Sequence, residues 1–246
     1  MPQARFSNGD DVKDLIERGL AELNLDVPKT ASDQLSQYGS LLLEQNKVMN
    51  LTAITEPDQV VPLHFLDSAA LLKVTDFKGK RVIDVGSGAG FPGLALKVLE
   101  PSIDLTLLDS LGKRIDWLSA AGTALGARNV EYLHARAEEQ GLVPGYRDAF
   151  DLATSRALAD MRILCELCLP FVKVGGLFLA MKSIDCAEEL KLASNAIKML
   201  GGMVVSTYDY KIPGTNITHR AVVIAKKNAT PKGYPRRWAK IQKSPL

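Results

Sequence analysis

The chain has 246 residues, 24% of them charged, with three cysteines and a formal net charge of +2. That length accommodates one large α/β domain with an appendage and needs no covalent staples, and three cysteines without disulfide-rich spacing fit a reducing cytoplasm. The N-terminal "MPQARFSNGDDVKD" reaches charge before an apolar signal core can form, and no window approaches the ~18 apolar residues of a membrane span, so a cytoplasmic protein without a membrane partner is expected.

Residues 10 to about 75 read as helical: Val12, Leu15, Ile16, Leu20 and Leu23 keep one apolar face, and Leu35, Tyr38 and Leu42 begin a second. A helical cap over residues 1–75 is therefore expected ahead of a main domain over 76–228. From Lys80 strands and helices alternate: "RVIDV" (81–85), a helix opening at Pro92, "IDLTLLD" (103–109) and a helix at about 112–125. "VEYLH" (130–134), "FDLATS" (150–155), a helix at about 158–171, "GLFLAMK" (176–182) and a helix at about 186–200 follow. Such repeats with short connections predict a doubly wound parallel sheet. "MVVSTYDYKIP" and "HRAVVIAKK" then stand with no helix between them, which predicts an antiparallel hairpin at the sheet edge.

Charge is unevenly placed. From Lys226 to Leu246 there are seven basic residues and no acidic one, so the rest of the chain is acidic. A basic tail (229–246) on an acidic body suits either a polyanionic partner or a solubility device. Arg236, Arg237 and Trp238, with Tyr234 nearby, interleave aromatics and charge as an RNA surface does, and the alternative is that Trp238 folds back onto the body. On the RNA reading, deleting residues 230–246 should flatten the salt dependence of RNA binding and leave the affinity for a cofactor unchanged.

"RVIDVGSGAGFPGLAL" (81–96) carries two fingerprints. Gly86 to Gly90 is a G-x-G-x-G turn directly after the strand, whereas Gly88 to Gly93 is a literal G-x-G-x-x-G two residues later. Both use glycines to bring a ligand close to the backbone beside a helix N-terminus. In the second, Gly93 falls inside the helix and Phe91-Pro92 stands where a pyrophosphate must pass, a poor register for NAD. In the first, Asp109 ends the next strand, placed to accept both ribose hydroxyls of a methyl donor.

"NLTAIT" (50–55), "HFLDS" (64–68), "DVGSGAGFPG" (84–93), "TLLDSLGKR" (106–114), "HARAEE" (134–139), "SRAL" (155–158) and "TPKGYPRRWAKIQKSPL" (230–246) together resemble the small-subunit ribosomal RNA guanine-N7 methyltransferase family, also called the glucose-inhibited division protein B family. The resemblance runs nearly end to end and implies a class I S-adenosylmethionine-dependent methyltransferase, a Rossmann-like sheet closed by the antiparallel hairpin, acting as a monomer on 16S ribosomal RNA or the small-subunit particle and not on DNA. It implies that Gly86, Gly88 and Phe91 line the donor pocket, that Asp109, Ser110 and Leu111 meet the ribose and adenine edge, and that Ala137 and Glu138 meet the adenine.

The sequence lacks an Asn/Asp-Pro-Pro-aromatic turn after the fourth strand and any Pro-Cys dipeptide, devices of amino and pyrimidine C5 methylation. Guanine N7 needs neither, because its lone pair is already nucleophilic and carries no proton. Arg156, Arg136 and Lys182 are then the candidates for holding the target nucleotide or its phosphates, with Arg156 also reaching the donor and acting on ligand more than on fold. Lys113 and Arg114 are candidate RNA contacts. His64 reads as a structural histidine bonded to Asp67, and His219-Arg220 as an edge pair. Cys165 and Cys168 lie on an apolar helix and read as core, and no metal site is expected. A nicotinamide-dependent oxidoreductase using Gly88 to Gly93 and a non-catalytic RNA-binding module are the alternative functions.

Overall fold

The computed structural model describes residues 9–246; the first eight residues of the expected cap, and of the stretch read against a signal core, lie outside the described residues. Strands β1 (Arg81–Val85), β2 (Asp104–Asp109), β3 (Val130–His134), β4 (Phe150–Arg156), β5 (Val172–Ser183), β6 (Gly202–Lys211) and β7 (Thr218–Lys226) form one sheet in the order β3-β2-β1-β4-β5-β7-β6. The first five pair in parallel, and β7 runs antiparallel between β5 and β6, as the closing hairpin predicts. The order reverses between β1 and β4, so a crevice opens beyond their carboxyl ends.

β1 is apolar and covered on both faces, which is why it reads as a continuous apolar run around a single buried acid, Asp84. On one face, Val82, Leu107 and Leu179 share a core with Ile16, Leu35, Tyr38, Leu42 and Phe65 of the N-terminal helices Gly9–Glu22 and Ala31–Asn46 and the helical run 57–73. The cap and the sheet thus share one core. On the other face, Ile83, Val85 and Phe178 pack against helix Met161–Cys168, where Cys165 and Cys168 are fully buried as core residues. Burial pushes both thiols up.

Element limits shift for local reasons. The helix expected at 158–171 begins at Met161, where the Asp160 carboxylate accepts the Arg162 N–H as a cap, and ends in the tighter turn Leu169–Phe171 around Pro170. The helix expected at 186–200 breaks at Ala193 into Ala187–Leu192 and Ser194–Met199. The helix expected to open at Pro92 starts at Gly93, with Pro92 as its cap. Among the described residues no helix is long and apolar enough to cross a membrane.

The tail departs most from the RNA-surface expectation. Arg236 makes a two-pronged contact with the fully buried Glu166 of helix Met161–Cys168, through Nε to Oε1 at 2.8 Å and Nη2 to Oε2 at 2.6 Å. The Arg147 guanidinium donates to the carbonyls of Thr230, Pro231 and Tyr234, and Lys226, itself fully buried, donates to Asp148 and Thr230. Ile241 of the last helix, Trp238–Lys243, is buried in the core. The last segment is a strap, and two of the seven clustered cations, Lys226 and Arg236, are spent holding it.

Candidate functional site

The glycine turn is held from below and from the side. Gly86 and Ser87 donate their N–H groups to the Leu108 carbonyl of β2, and the Ser87 hydroxyl donates to the Asp84 carbonyl. From the cap, the buried Tyr38 hydroxyl donates to the Ala89 carbonyl at 2.6 Å. Gly90 must be glycine: its φ is +95°, and a Cβ there would stand 2.2 Å from the Tyr38 hydroxyl. Gly88, at φ +56°, instead faces open space, with only the Gly86 carbonyl oxygen within 4 Å of a Cβ. Gly93 is a packing glycine under its helix, where a Cβ would lie 2.7 Å from Asp84 Cβ.

Asp84 and Asp109 have separate tasks. Asp84, wholly buried, accepts the Gly93 N–H at 3.1 Å and the Thr154 hydroxyl at 3.0 Å, and burial pushes its carboxyl up to about 6. It ties β1 to β4 and to the helix after the turn. Asp109 accepts the Gly88 N–H through Oδ2 and the Leu111 N–H through Oδ1, each at 2.9 Å, so the carboxylate shapes the turn as well as facing the crevice.

A cavity of about 450 Å³ opens over this turn, a size that suits a nucleoside-sized ligand. Gly86, Gly88, Phe91, Asp109 and Ser110 form one wall, and Ala137, Glu138, Arg136 and Arg156 others. Leu111 is not part of it; as the residue before helix Gly112–Ala124 its side chain turns outward and only its N–H serves the site. Arg114, expected on an RNA surface, belongs to the cavity wall with Nη1 3.6 Å from Asp109 Oδ2, whereas Lys113 is exposed. Trp238 of the strap also lines the cavity, which the fold-back alternative foresees and an RNA-facing tail does not. Arg237 stays exposed. Arg136 is half exposed, with Nη1 3.8 Å from Oε1 of the buried Glu138.

Arg156 is more committed to the fold than its position suggests. Nη1 donates to the Leu63 carbonyl at 2.8 Å and to Asp67 Oδ2 at 3.0 Å, and Nη2 donates to His64 Nδ1 at 2.8 Å. Asp67 also accepts from the Tyr210 hydroxyl and from His219 Nδ1, each at 2.8 Å. Burial pushes the Asp67 carboxyl up, but the His219 hydrogen bond, the Arg156 charge and the Tyr210 hydroxyl together bring it below its ordinary value. The expected His64–Asp67 bond is replaced. His64 stacks on Phe91 at 4.4 Å and its Nε2 meets the Thr52 hydroxyl at 2.9 Å. His219 is no edge residue but part of this cluster, while Arg220 does pair across the hairpin with Asp209.

An arginine only donates, so His64 Nδ1 must accept and its proton sits on Nε2. Burial and then the Arg156 charge lower its pKa from 6.5 to about 3. A folded-state pKa below the unfolded one means that the unfolded chain takes up the proton first as pH falls, so this stability is present above 6.5 and lost toward 3. Relative to His64→Gln, the wild type should lose about 2 kcal/mol of unfolding free energy between pH 7 and pH 5. Urea titrations of both proteins read this, and parallel pH profiles would place the histidine's proton elsewhere.

Lys182, expected with Arg156 at the nucleotide, lies outside the glycine cavity. It lines an adjoining cavity of about 520 Å³, and its Nζ is 2.6 Å from Glu189 and 3.2 Å from the Ala159 carbonyl. The two cavities meet across His64, Arg156 and Ala157.

Residues 31–218 match the model of the family described as rRNA small subunit methyltransferase G. The protein of that name from Alkaliphilus oremlandii is 46% identical over 239 residues, covering 96% of this chain and 99% of its own, and that from Clostridium beijerinckii is 42% identical over 234 residues, covering 95% and 98%. In fold alone, the chain is similar to a candidate methyltransferase from Bacillus halodurans at 14% identity and a TM-score of 0.51, over 66% of this chain and 99% of that one.

Proposed function

Because the chain belongs to the rRNA small subunit methyltransferase G family, and so is an S-adenosylmethionine-dependent enzyme acting on ribosomal RNA, we propose that it methylates guanine N7 of 16S rRNA, as a cytoplasmic monomer, on free RNA or on the small-subunit particle. Family membership leaves the oxidoreductase and the non-catalytic readings without support. The observation that carries the proposal is the glycine turn itself: Gly88 at positive φ facing open cavity, beside a buried Asp109 with lone pairs to spare.

These residues fit the methyl donor. Gly86, Gly88 and Phe91 would hold its amino-acid side, Asp109 and Ser110 its ribose, and Ala137 and Glu138 its adenine, with Trp238 closing the cavity from the strap. Bound there, S-adenosylmethionine supplies a sulfonium-bound methyl, an electrophile that a neutral ring nitrogen attacks directly. Guanine N7 has a lone pair of its own and no proton to lose, so the chain needs no general base. Its contribution is orientation and dryness: Phe91, His64 and Trp238 exclude water, and Arg156 has Nε and one Nη2 proton left for the nucleotide.

Ribosomal RNA from cells lacking and then regaining this protein should lose and recover one 7-methylguanine, mapped by reductive cleavage at the modified base. An unchanged map would remove the base assignment. Gly88→Val puts a β-branched side chain into the donor space at positive φ, and should lower affinity for S-adenosylhomocysteine by about 100-fold or more in calorimetric titration.

A further inference from the structure

We propose that the second cavity receives the target base and that Glu189 reads it as guanine through the N1–H and 2-amino edge. This inference rests on the methyltransferase reading above. The cavity begins where the donor cavity ends, at His64, Arg156 and Ala157, and its far wall is formed by Lys182, Ser183 and Glu189. Two carboxylates face it. Asp67 is fully engaged, since Tyr210, His219 and Arg156 all donate to it and it is 1% exposed. Glu189 differs. Its Oε1 takes the Lys182 ammonium and the Met161 N–H, both at 2.6 Å, which fixes the side chain at the head of helix Met161–Cys168 and leaves Oε2 for a ligand.

A carboxylate is matched to guanine among the four bases. N1–H and the 2-amino group are two adjacent donors, whereas adenine presents an acceptor at N1 and no 2-amino group, so a carboxylate held there would face a lone pair. Extruded bases are read on this edge. Orientation follows from the shape of the purine. N7 lies on the ring system's far side from N1 and the 2-amino group, so a base anchored at Glu189 turns N7 toward the wall that the two cavities share.

The same contact favours the reaction. When N7 forms its bond to carbon and the C–S pair returns to sulfur, the positive charge moves onto the purine and N1–H becomes a stronger donor. A carboxylate on N1–H is therefore held more tightly in the transition state than in the ground state, and its loss should appear in kcat as well as KM.

The test uses wild type, Glu189→Gln and Lys182→Met with guanosine and inosine 5′-monophosphates as probes, in the presence of S-adenosylhomocysteine. Inosine lacks only the 2-amino group. Wild type should bind the guanosine nucleotide about tenfold more tightly, Glu189→Gln should lose that preference, and Lys182→Met, which removes the same ion pair but keeps the carboxylate, should retain it. On unmethylated ribosomal RNA, kcat/KM of Glu189→Gln should fall about 10- to 100-fold with unchanged S-adenosylhomocysteine affinity. Equal wild-type binding of the two nucleotides, no wild-type binding at millimolar concentration, or an unchanged preference in Glu189→Gln would each overturn the assignment. A wild type that neither binds S-adenosylhomocysteine nor methylates the RNA would instead overturn the functional reading beneath it.

Discussion

Removing residues 230–246 is expected to lower the thermal midpoint by about 10 °C and to weaken S-adenosylhomocysteine binding, because the strap holds both a buried charge and a wall of the donor cavity. Glu166 is fully buried and its two oxygens are held by Arg236, so truncation leaves this carboxylate without its partner, a loss of about 3–5 kcal/mol. Ile241 leaves its place in the core and Trp238 leaves the cavity. This outcome differs from an RNA-binding tail, whose deletion leaves donor affinity untouched. Of the five cations removed, Arg236 is internal, so Lys232, Arg237, Lys240 and Lys243 alone are exposed to meet phosphates, and the salt slope of RNA binding should shrink by at most about 4. Scanning calorimetry and isothermal titration of the truncated chain, with Arg236→Ala as the smaller cut, read the two effects separately. A truncated protein with the wild-type midpoint and affinity would show the strap to be idle.

The fold was legible where backbone chemistry dictates local sequence. Alternating apolar runs and amphipathic segments mark β1 to β5 and their helices, the missing helix between β6 and β7 marks the hairpin, and Gly86 to Gly90 mark the turn that needs positive φ. What the sequence withholds is pairing at a distance. Arg236 and Glu166 are 70 residues apart, and Arg156 and Asp67 are 89, and nothing local distinguishes a cation that will be buried against such a partner from one that will face RNA. Lys182 and Arg114 change place through nearer partners: one meets Glu189 of the helix that follows its strand, and the other turns back to Asp109 just before the head of its own helix. Asp84 carried a signal that could have been used, since an acid inside an otherwise apolar, doubly covered strand must have buried donors waiting for it, here Gly93 and Thr154. His64 and His219 carried none, because a histidine's role is set by what its two nitrogens meet, and those partners, Thr52, Asp67 and Arg156, come from the cap and β4.

Arg156→Ala is expected to lower methylation of ribosomal RNA by about 100-fold and the thermal midpoint by about 10 °C, a double loss where the position in sequence suggested a loss of turnover alone. The stability part follows from what the side chain holds. Without it the Asp67 carboxylate, 1% exposed, keeps Tyr210 and His219 but loses its permanent counter-charge, the Leu63 carbonyl loses a donor, and His64 loses the partner that fixes its ring on Phe91. The turnover part follows from the same ring: His64 and Arg156, with Ala157, form the wall between the two cavities, so a loosened wall misplaces the base against the donor by amounts that matter for in-line attack. The two parts separate by substitution. Arg156→Lys keeps a positive charge beside Asp67 and should recover most of the midpoint, but one ammonium cannot serve Leu63, Asp67 and His64 in the planar arrangement the guanidinium provides, so turnover should recover only in part. Asp67→Asn supplies the complementary variant, since it removes the buried charge that Arg156 neutralises; combined with Arg156→Ala it should cost less stability than the sum of the two single changes. Additive losses in that cycle, or an Arg156→Lys enzyme with wild-type turnover, would mean that the arginine's contacts with the cap are not what sets the geometry of the wall.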